Sequence, residues 1–308
     1  MNPASARHLL GIEGMDRSTA LALLDAADAF HASNRNPVGK LGTLGTKTVM
    51  NLFFEASTRT RTSFELAGKR LGADVVNLGG SSSSTSKGES LRDTVATIDA
   101  MRADVIVIRH EASGAPHYVA RRTRAAVVNA GDGMHEHPTQ ALLDALTIRK
   151  RLGRELDGLV VAICGDILHS RVARSNALLL RLLGAEVRLA GPRTLLPRDP
   201  GALGVPTFDR IEPALEGAHV VMMLRIQRER LGAALLPSLR EYSRVFGLNR
   251  AKLALARPEA IVLHPGPMNR GVELADDVAD AAESAILEQV EAGVAVRMAV
   301  LAHCVGKS

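Results

Sequence analysis

The chain contains no tryptophan, two tyrosines and six phenylalanines, so aromatics make up only 3% of its 308 residues. Proteins that hold single-stranded nucleic acid stack bases on aromatic side chains, and too few are present here to build such a platform. Cysteine is equally scarce: Cys164 and Cys304 are the only two. That excludes a disulfide framework and a metal knuckle of paired cysteines. Both lie in apolar runs, where buried free thiols are expected. No stretch approaches the ~20 uncharged residues needed to cross a bilayer, and the segment after Arg7 lacks the apolar core of a signal peptide. The expectation is a soluble, reduced, cytoplasmic protein with no membrane partner. At 46% hydrophobic and 23% charged residues, the composition is that of an ordinary globular chain, and its length suggests two domains.

Lysine is sparse among the cations, contributing 7 of the 38, against 33 acidic residues, for a net charge of +5. A modest excess without basic blocks suits small anionic substrates and not nucleic acid. The densest cluster, Arg121, Arg122 and Arg124, reads as a solvated helix face.

Apolar periodicity organises the chain. Residues up to about 45 read as a helix pair. Strands are expected at Thr46–Phe54, Asp74–Leu78, Asp104–Ile108 and Ala125–Asn129, with a helix through Leu71 that carries Phe64, Ala67 and Leu71 on one face. After a helix at Thr139–Leu152 a second set follows: strands at Leu159–Cys164, Glu186–Ala190, His219–Leu224 and Ala260–Leu263, and a helix at Ser170–Leu183. A long helix from about Asp280 to Cys304 closes the chain. Strands alternating with helices make this an α/β protein of two parallel-sheet domains linked by helices.

Chemistry-bearing residues cluster where expected strands end. After Phe54 come Ser57, Thr58, Arg59, Thr60, Arg61 and Thr62 at a helix start. Unpaired N–H groups and the positive dipole end favour an anion there, and arginine adds a fork suited to phosphate; the plainer alternative is a capped helix with exposed arginines. Arg109 and His110 follow the third strand, and Arg109 is either a second anion ligand or a surface residue. His137 and Gln140 open the helix after the fourth strand. His135 and His137 resemble a metal pair, but no third ligand follows at a suitable spacing and HExxH is absent, so no metal is expected. After Cys164, Gly165 lacks the further glycines of a dinucleotide turn, whereas Arg171 at a helix start suits a carboxylate. Arg225 and Gln227 follow the strand ending at Leu224. His264, Pro265, Gly266 and Pro267 form a stiff loop, either structural or functional. A P-loop, a Ser-His-Asp arrangement, an activated cysteine and a carboxylate pair are all missing, which disfavours a covalent intermediate. The inventory fits one phosphate-bearing and one dicarboxylate substrate, joined by positioning and electrostatics.

Ser57-Thr58-Arg59-Thr60-Arg61, His137-Pro138-Thr139-Gln140, Arg225-Ile226-Gln227 and His264-Pro265-Gly266-Pro267 together resemble the catalytic chains of the aspartate carbamoyltransferase family, in order over nearly the whole length. The resemblance implies a carbamoyl-phosphate domain at 1–142, an aspartate domain at 143–284, and a C-terminal helix, 285–308, packing back on the first domain. It implies carbamoyl phosphate and L-aspartate as substrates, N-carbamoyl-L-aspartate and phosphate as products in an early step of pyrimidine synthesis, and no cofactor. Carried over by motif, Ser57, Thr58, Arg59 and Thr60 hold the phosphate. Thr60, Arg109 and His137 polarise the carbonyl, so that Arg59, Thr60, Arg109 and His137 are the catalytic set. Gln140, Gly266 and Pro267 orient the carbamoyl amide; Arg171 and Arg225 clamp aspartate, supported by Gln227. Lys87, assigned with them to aspartate, matches a loop that the family inserts into a neighbour's site together with one serine of Ser81–Ser84, of which the four-residue spacing favours Ser83; this implies a homotrimer with shared active sites. A regulatory chain or a dihydroorotase-like partner leaves no mark in the sequence. Gly266 departs from members that carry leucine there; the family uses that residue's carbonyl, so packing is touched and the contact is not.

Two rivals are weighed. An ornithine carbamoyltransferase needs acidic partners for a cationic acceptor and, in that family, cysteines in the loops that here read His-Pro-Thr-Gln and His-Pro-Gly-Pro. A non-catalytic scaffold of a pyrimidine-enzyme complex has no need of Arg171 and Arg225 at a cleft.

Overall fold

The computed structural model describes residues 8–35, 40–79, 89–199, 201, 203–226 and 238–306. It divides into two compact units, Met1–Leu146 with Glu291–Ser308, and Thr147–Val290. Ser83, Lys87 and Gln227 lie outside the described residues.

The first unit begins with α1 (Arg17–Arg35). It continues through β1 (Thr48–Phe53), α2 (Thr58–Arg70), β2 (Asp74–Gly79), α3 (Leu91–Ala100) and β3 (Val105–His110). Then come α4 (Ala115–Ala120), β4 (Ala126–Asp132) and α5 (Pro138–Leu152). Residues 49–53 and 126–132 are buried without alternation, the pattern of parallel strands covered on both faces. All pairings are parallel, in the order β2-β1-β3-β4. Helix α2 buries Phe64, Ala67 and the following Leu71 completely, and each of the two larger side chains contributes about 1.5–3 kcal/mol through burial. Gly68 lets the helix approach the sheet: a Cβ there would stand 2.6 Å from Val75 Cγ2.

The second unit contains β5 (Val160–Cys164), α6 (Arg171–Leu182), β6 (Glu186–Ala190), β7 (Thr207–Phe208), α7 (Glu212–Leu215) and β8 (Val220–Met223). It ends with α8 (Leu239–Phe246), α9 (Arg250–Leu253), β9 (Ile261–Leu263) and α10 (Asp276–Ala279). Its sheet is also parallel, ordered β7-β6-β5-β8-β9. Lys252 fastens α8 by donating to the carbonyls of Arg244, Val245 and Gly247 at its end, as a cation at a helix C-terminus should.

The final helix, α11 (Ile286–Cys304), belongs to the first unit from Glu291 onward. There Arg297 donates to Ser63 on α2, and Arg35 of α1 makes a two-pronged ion pair with Glu291. The helix thus packs back on the first unit, as expected. It starts later than Asp280 because the preceding backbone bonds to a strand edge: Val262 N–H donates to Glu283 O at 2.8 Å and Ala285 N–H to Val262 O at 2.9 Å. The expected N-terminal helix pair reduces, among the described residues, to α1 and a single 3₁₀ turn, Gly42–Leu44. Arg121, Arg122 and Arg124 are exposed, but on the turn after α4 and not on a helix face. The Arg122 guanidinium lies 3.7 Å from the centroid of the Tyr118 ring, and Arg124 pairs with Asp99. Cys164 and Cys304 are free and buried, and burial pushes both thiols up to about 12. Among the described residues no helix is long and apolar enough to cross a membrane.

Candidate active site

Each sheet reverses its winding once. In the first, the chain passes from β1 outward to β2, returns to β3 on the other side and continues to β4; in the second it runs β5, β6, β7, then returns to β8 and β9. At such a reversal the loops leaving two adjacent strands diverge and open a crevice beyond their carboxyl ends, where α/β sheets bind ligands. The reversal pairs are β1/β3 and β5/β8. The Ser57–Thr60 turn and Arg109 follow the first pair; Arg171 and Arg225 follow the second.

In the first unit, Phe53 is registered against Arg109, and Phe54 N–H donates to Arg109 O at 2.9 Å. The two strand ends are therefore adjacent. Ser57 caps α2 in extended conformation, yet its hydroxyl makes no capping bond. The first-turn N–H groups of a helix find no partner within it, so such a start suits an anion. Thr60 is buried one turn in, while Thr58 and Arg59 are exposed. The Arg109 guanidinium is held by Glu55 at 2.6 Å and by Ala130 O at 3.3 Å. His110 accepts from Ala112 N–H through Nδ1 at 2.9 Å, and burial pushes its pKa below the ordinary value.

His137 sits at the start of α5, its carbonyl accepting from Gln140 and Ala141, with Pro138 at the first helical position where a missing N–H costs nothing. His137 is 4% exposed and Gln140 8%. The loop that delivers them is laced by carboxylates. Asp132 accepts from the Gly114 N–H at 2.7 Å, the Asn129 amide at 2.8 Å and the Glu136 N–H at 3.1 Å. Glu136 in turn accepts from the Ile12 and Glu13 N–H groups at 2.7 and 3.0 Å. Gly133 has φ +47°, and a Cβ there would meet Ser113 Oγ at 2.4 Å and Glu111 O at 2.8 Å; only glycine fits. His135 turns to Asp132 at 3.1 Å and lies edge-on to His117. His117, Asp132 and His135 do bring three candidate ligand atoms together, but Asp132 already accepts from Gly114, Asn129 and Glu136.

In the second unit, Cys164 is registered against Met223, and Leu224 N–H donates to Cys164 O at 2.8 Å. Ser170 caps α6 through Ala173 N–H, which sets Arg171 at the first helical position, 5% exposed. Asp166 accepts from His169 N–H at 3.1 Å and faces its ring at 3.0 Å, bracing the turn that leads there. Arg225 lies two residues beyond β8 and is half-buried. After β9, His264 Nδ1 accepts from Gly266 N–H at 2.8 Å, leaving Nε2 to donate to Glu273 at 3.1 Å. Glu273 also accepts from Asn269 N–H, and Asn269 donates to Ile226 O, next to Arg225. The stiff loop is thus tied to the strand end that carries the arginine; its Gly266-Pro267 bond is cis.

The structure therefore places every described candidate at a strand end or on the helix that follows one. Sequence reasoning missed the carboxylates that hold them, Glu55, Asp132, Glu136, Asp166 and Glu273, and also Asp144 and Arg297. Only Asp144 left a sequence signal, four residues after Gln140 on one helix face.

Two family models match. The aspartate/ornithine carbamoyltransferase carbamoyl-P binding domain covers residues 7–150, and the Asp/Orn binding domain covers residues 157–304. An aspartate carbamoyltransferase catalytic subunit of Sorangium cellulosum is 70% identical over 295 residues, 96% of this chain and 92% of the relative. One of Gluconobacter oxydans is 61% identical over 300 residues, 97% and 96% of the two chains. Among solved structures, aspartate transcarbamoylase of Trypanosoma cruzi in complex with carbamoyl phosphate and aspartate superposes with a TM-score of 0.86 at 31% identity, covering 97% of this chain and 96% of the other. The same enzyme with carbamoyl aspartate and phosphate gives 0.86 at 32%, with the same coverage. With both halves matched and the sequence shared nearly end to end, the chain belongs to the aspartate/ornithine carbamoyltransferase family.

Proposed function

We propose that the chain is an aspartate carbamoyltransferase, moving the carbamoyl group of carbamoyl phosphate to L-aspartate and releasing phosphate, in an early step of pyrimidine synthesis. The observation that carries the reading is the pair of winding reversals, one flanked by an anion-binding helix start and Arg109, the other by Arg171 and Arg225. Relatives named for this activity, and a structural neighbour solved with both substrates, support it.

The first unit is assigned the carbamoyl donor. Ser57, Thr58, Arg59 and Thr60 take the phosphate at the start of α2, where the first-turn N–H groups and the helix dipole favour negative charge. Thr60, Arg109 and His137 donate to the carbonyl oxygen, and Gln140 with the backbone at Gly266 and Pro267 receives the amide. The second unit is assigned aspartate, its carboxylates on Arg171 and Arg225 with Gln227 beside them. The deprotonated α-amine attacks the carbonyl carbon; negative charge gathers on the carbonyl oxygen, where prepositioned donors act most strongly. The carbon–oxygen bond to phosphate then breaks, and a phosphate oxygen takes the amine proton. No covalent enzyme intermediate is needed.

The assay is carbamoyl transfer by the purified chain with L-aspartate or L-ornithine. Carbamoyl aspartate alone is the expected result; citrulline overturns the acceptor assignment, and neither product overturns the activity. The chain is further assigned to a cytoplasmic homotrimer in which Ser83 and Lys87 of one copy serve the next copy's site. Mixing Lys87→Ala with Arg59→Ala chains then restores part of the activity, because one site in the mixed trimer has both residues; no recovery on mixing overturns the sharing.

A further inference from the structure

Gln140 is assigned above to the carbamoyl amide, and a glutamine can present either its oxygen or its NH₂ group there. Which one it presents is decided behind it. Gln140 Nε2 donates to Asp144 Oδ1 at 2.9 Å, one turn along α5. An ionised carboxylate accepts only, so the reversed amide would set oxygen against oxygen. With Nε2 committed to Asp144, Oε1 is left to face away as an acceptor. That matches a ligand whose recognised group carries N–H bonds.

Asp144 is 0% exposed, and an isolated carboxylate so placed is costly unless a positive charge stands near. One buried cation, Arg297 on α11, feels the Asp144 carboxylate. Arg297 is 4% exposed, and its guanidinium centre lies 5.1 Å from the Phe64 ring centroid. Its Nη1 donates to Ser63 Oγ and to Gly293 O. Burial and the neighbouring charge of Arg109 disfavour the Arg297 cation, while the Asp144 carboxylate favours it. Ser63 lies one turn beyond Thr60, so the same arginine braces the helix that carries the anion turn.

We propose that Asp144 is a positioning residue that fixes the Gln140 amide with its oxygen outward, and that this selects a donor bearing an N–H group over one bearing a methyl at the same place. The inference rests on Gln140 meeting the carbamoyl amide.

The test compares carbamoyl phosphate with acetyl phosphate, which keeps the phosphate and carbonyl but replaces the amide by a methyl group, and with inorganic phosphate. For Asp144→Asn, which lets the glutamine amide turn either way, KM for carbamoyl phosphate should rise ~10-fold, the loss of one well-oriented hydrogen bond. The inhibition constants of acetyl phosphate and phosphate should stay within about twofold, and Asp144→Asn should add nothing in a Gln140→Ala background. All three ligands weakening together would show a merely structural role and overturn the proposal, as would an unchanged KM for carbamoyl phosphate. If Asp144→Asn fails to fold, the same comparison is read on Asp144→Asn/Arg297→Gln, which removes both buried charges. Gln140→Ala separates the two layers: no change in carbamoyl phosphate use there would refute the Gln140 assignment itself. A large change in Gln140→Ala without one in Asp144→Asn would refute only the positioning role.

Discussion

The two units solve the same topological problem with different supports. Both set cations beyond the carboxyl ends of the strands at a winding reversal. In the first, nearly every donor is backed by a carboxylate: Glu55 holds Arg109, Asp132 and Glu136 lace the loop to His137, and Asp144 holds Gln140. In the second, a serine cap sets Arg171 after a turn braced by Asp166, and Glu273 ties the loop that reaches the strand end beside Arg225. On the proposed assignment, the difference follows from what each must do. Donors aimed at a carbonyl whose charge grows during reaction work only if fixed in advance; carboxylates that stay anionic throughout need only a matching cation.

The largest expected effect tests the first half of that statement. Arg109→Ala should lower kcat by on the order of 10²–10³, the usual cost of losing one donor to a developing charge, with a smaller change in the KM for carbamoyl phosphate. Saturating steady-state rates decide it. A variant altered only in KM would place Arg109 in ground-state binding and erase the contrast between the units.

Arg225→Ala and Arg171→Ala should do the reverse. Each loses a charge-assisted bond of about 1.5–3 kcal/mol, so the KM for aspartate should rise by roughly 10- to 100-fold while phosphate inhibition is unchanged. Unaltered aspartate kinetics in both variants would remove the acceptor assignment from the second unit.

The carboxylate lacing itself is tested by Gly133→Ala. The added Cβ meets Ser113 and Glu111 at contact distances no side chain tolerates, at positive φ, and should cost about 1–3 kcal/mol through overpacking. Gly14 shares the positive φ but has nothing within 4 Å, so Gly14→Ala should cost only about 1 kcal/mol. Paired thermal melts measure both; equal losses would mean that backbone strain alone, and not the packed loop, sets the first unit's rigidity.

Much of this arrangement was legible in the sequence. Apolar runs with a buried-strand pattern located β1, β3, β4, β5, β6, β8 and β9 to within a few residues, because parallel strands covered on both faces read as continuous apolar runs bounded by turn residues. The Ser57–Thr60 turn and the arginines stood out because anion chemistry demands those residue types at strand ends. Helix α3 went unread beside the serine tract, and β7 is only two residues long, too short for periodicity. The start of α11 was misplaced because backbone bonds from 283–285 to Val262 come from a distant strand that local patterning does not see. Glu136 and Arg297 were invisible for the same reason: their partners, Ile12 and Ser63, are 124 and 234 residues away in sequence.

The smallest effect concerns carboxylates outside either crevice, and it separates packed from solvated ones. The Arg124 N–H, with the Thr123 hydroxyl and the Arg124 side chain, holds the Asp99 carboxyl below the usual range. Asp280, fully solvated, is lowered chiefly by its bonds from Arg270, at 2.7 and 2.8 Å. For both the folded-state pKa lies below the unfolded value, so the folded state releases its proton more readily. Each therefore stabilises the fold at pH above the unfolded carboxylate value, near 4, and loses that contribution as pH falls through the lowered folded value. Melting temperature followed from pH 7 to pH 3 should drop less steeply in Asp99→Asn than in the parent chain. In Asp280→Asn the slope should barely change, and raising salt to about 0.5 M, where screening acts within a few ångströms, should remove what difference remains. A larger effect at Asp280 than at Asp99 would mean that an exposed guanidinium pair outweighs a backbone-anchored carboxylate, and that the first unit's reliance on backbone-bound acids confers no advantage on its stability.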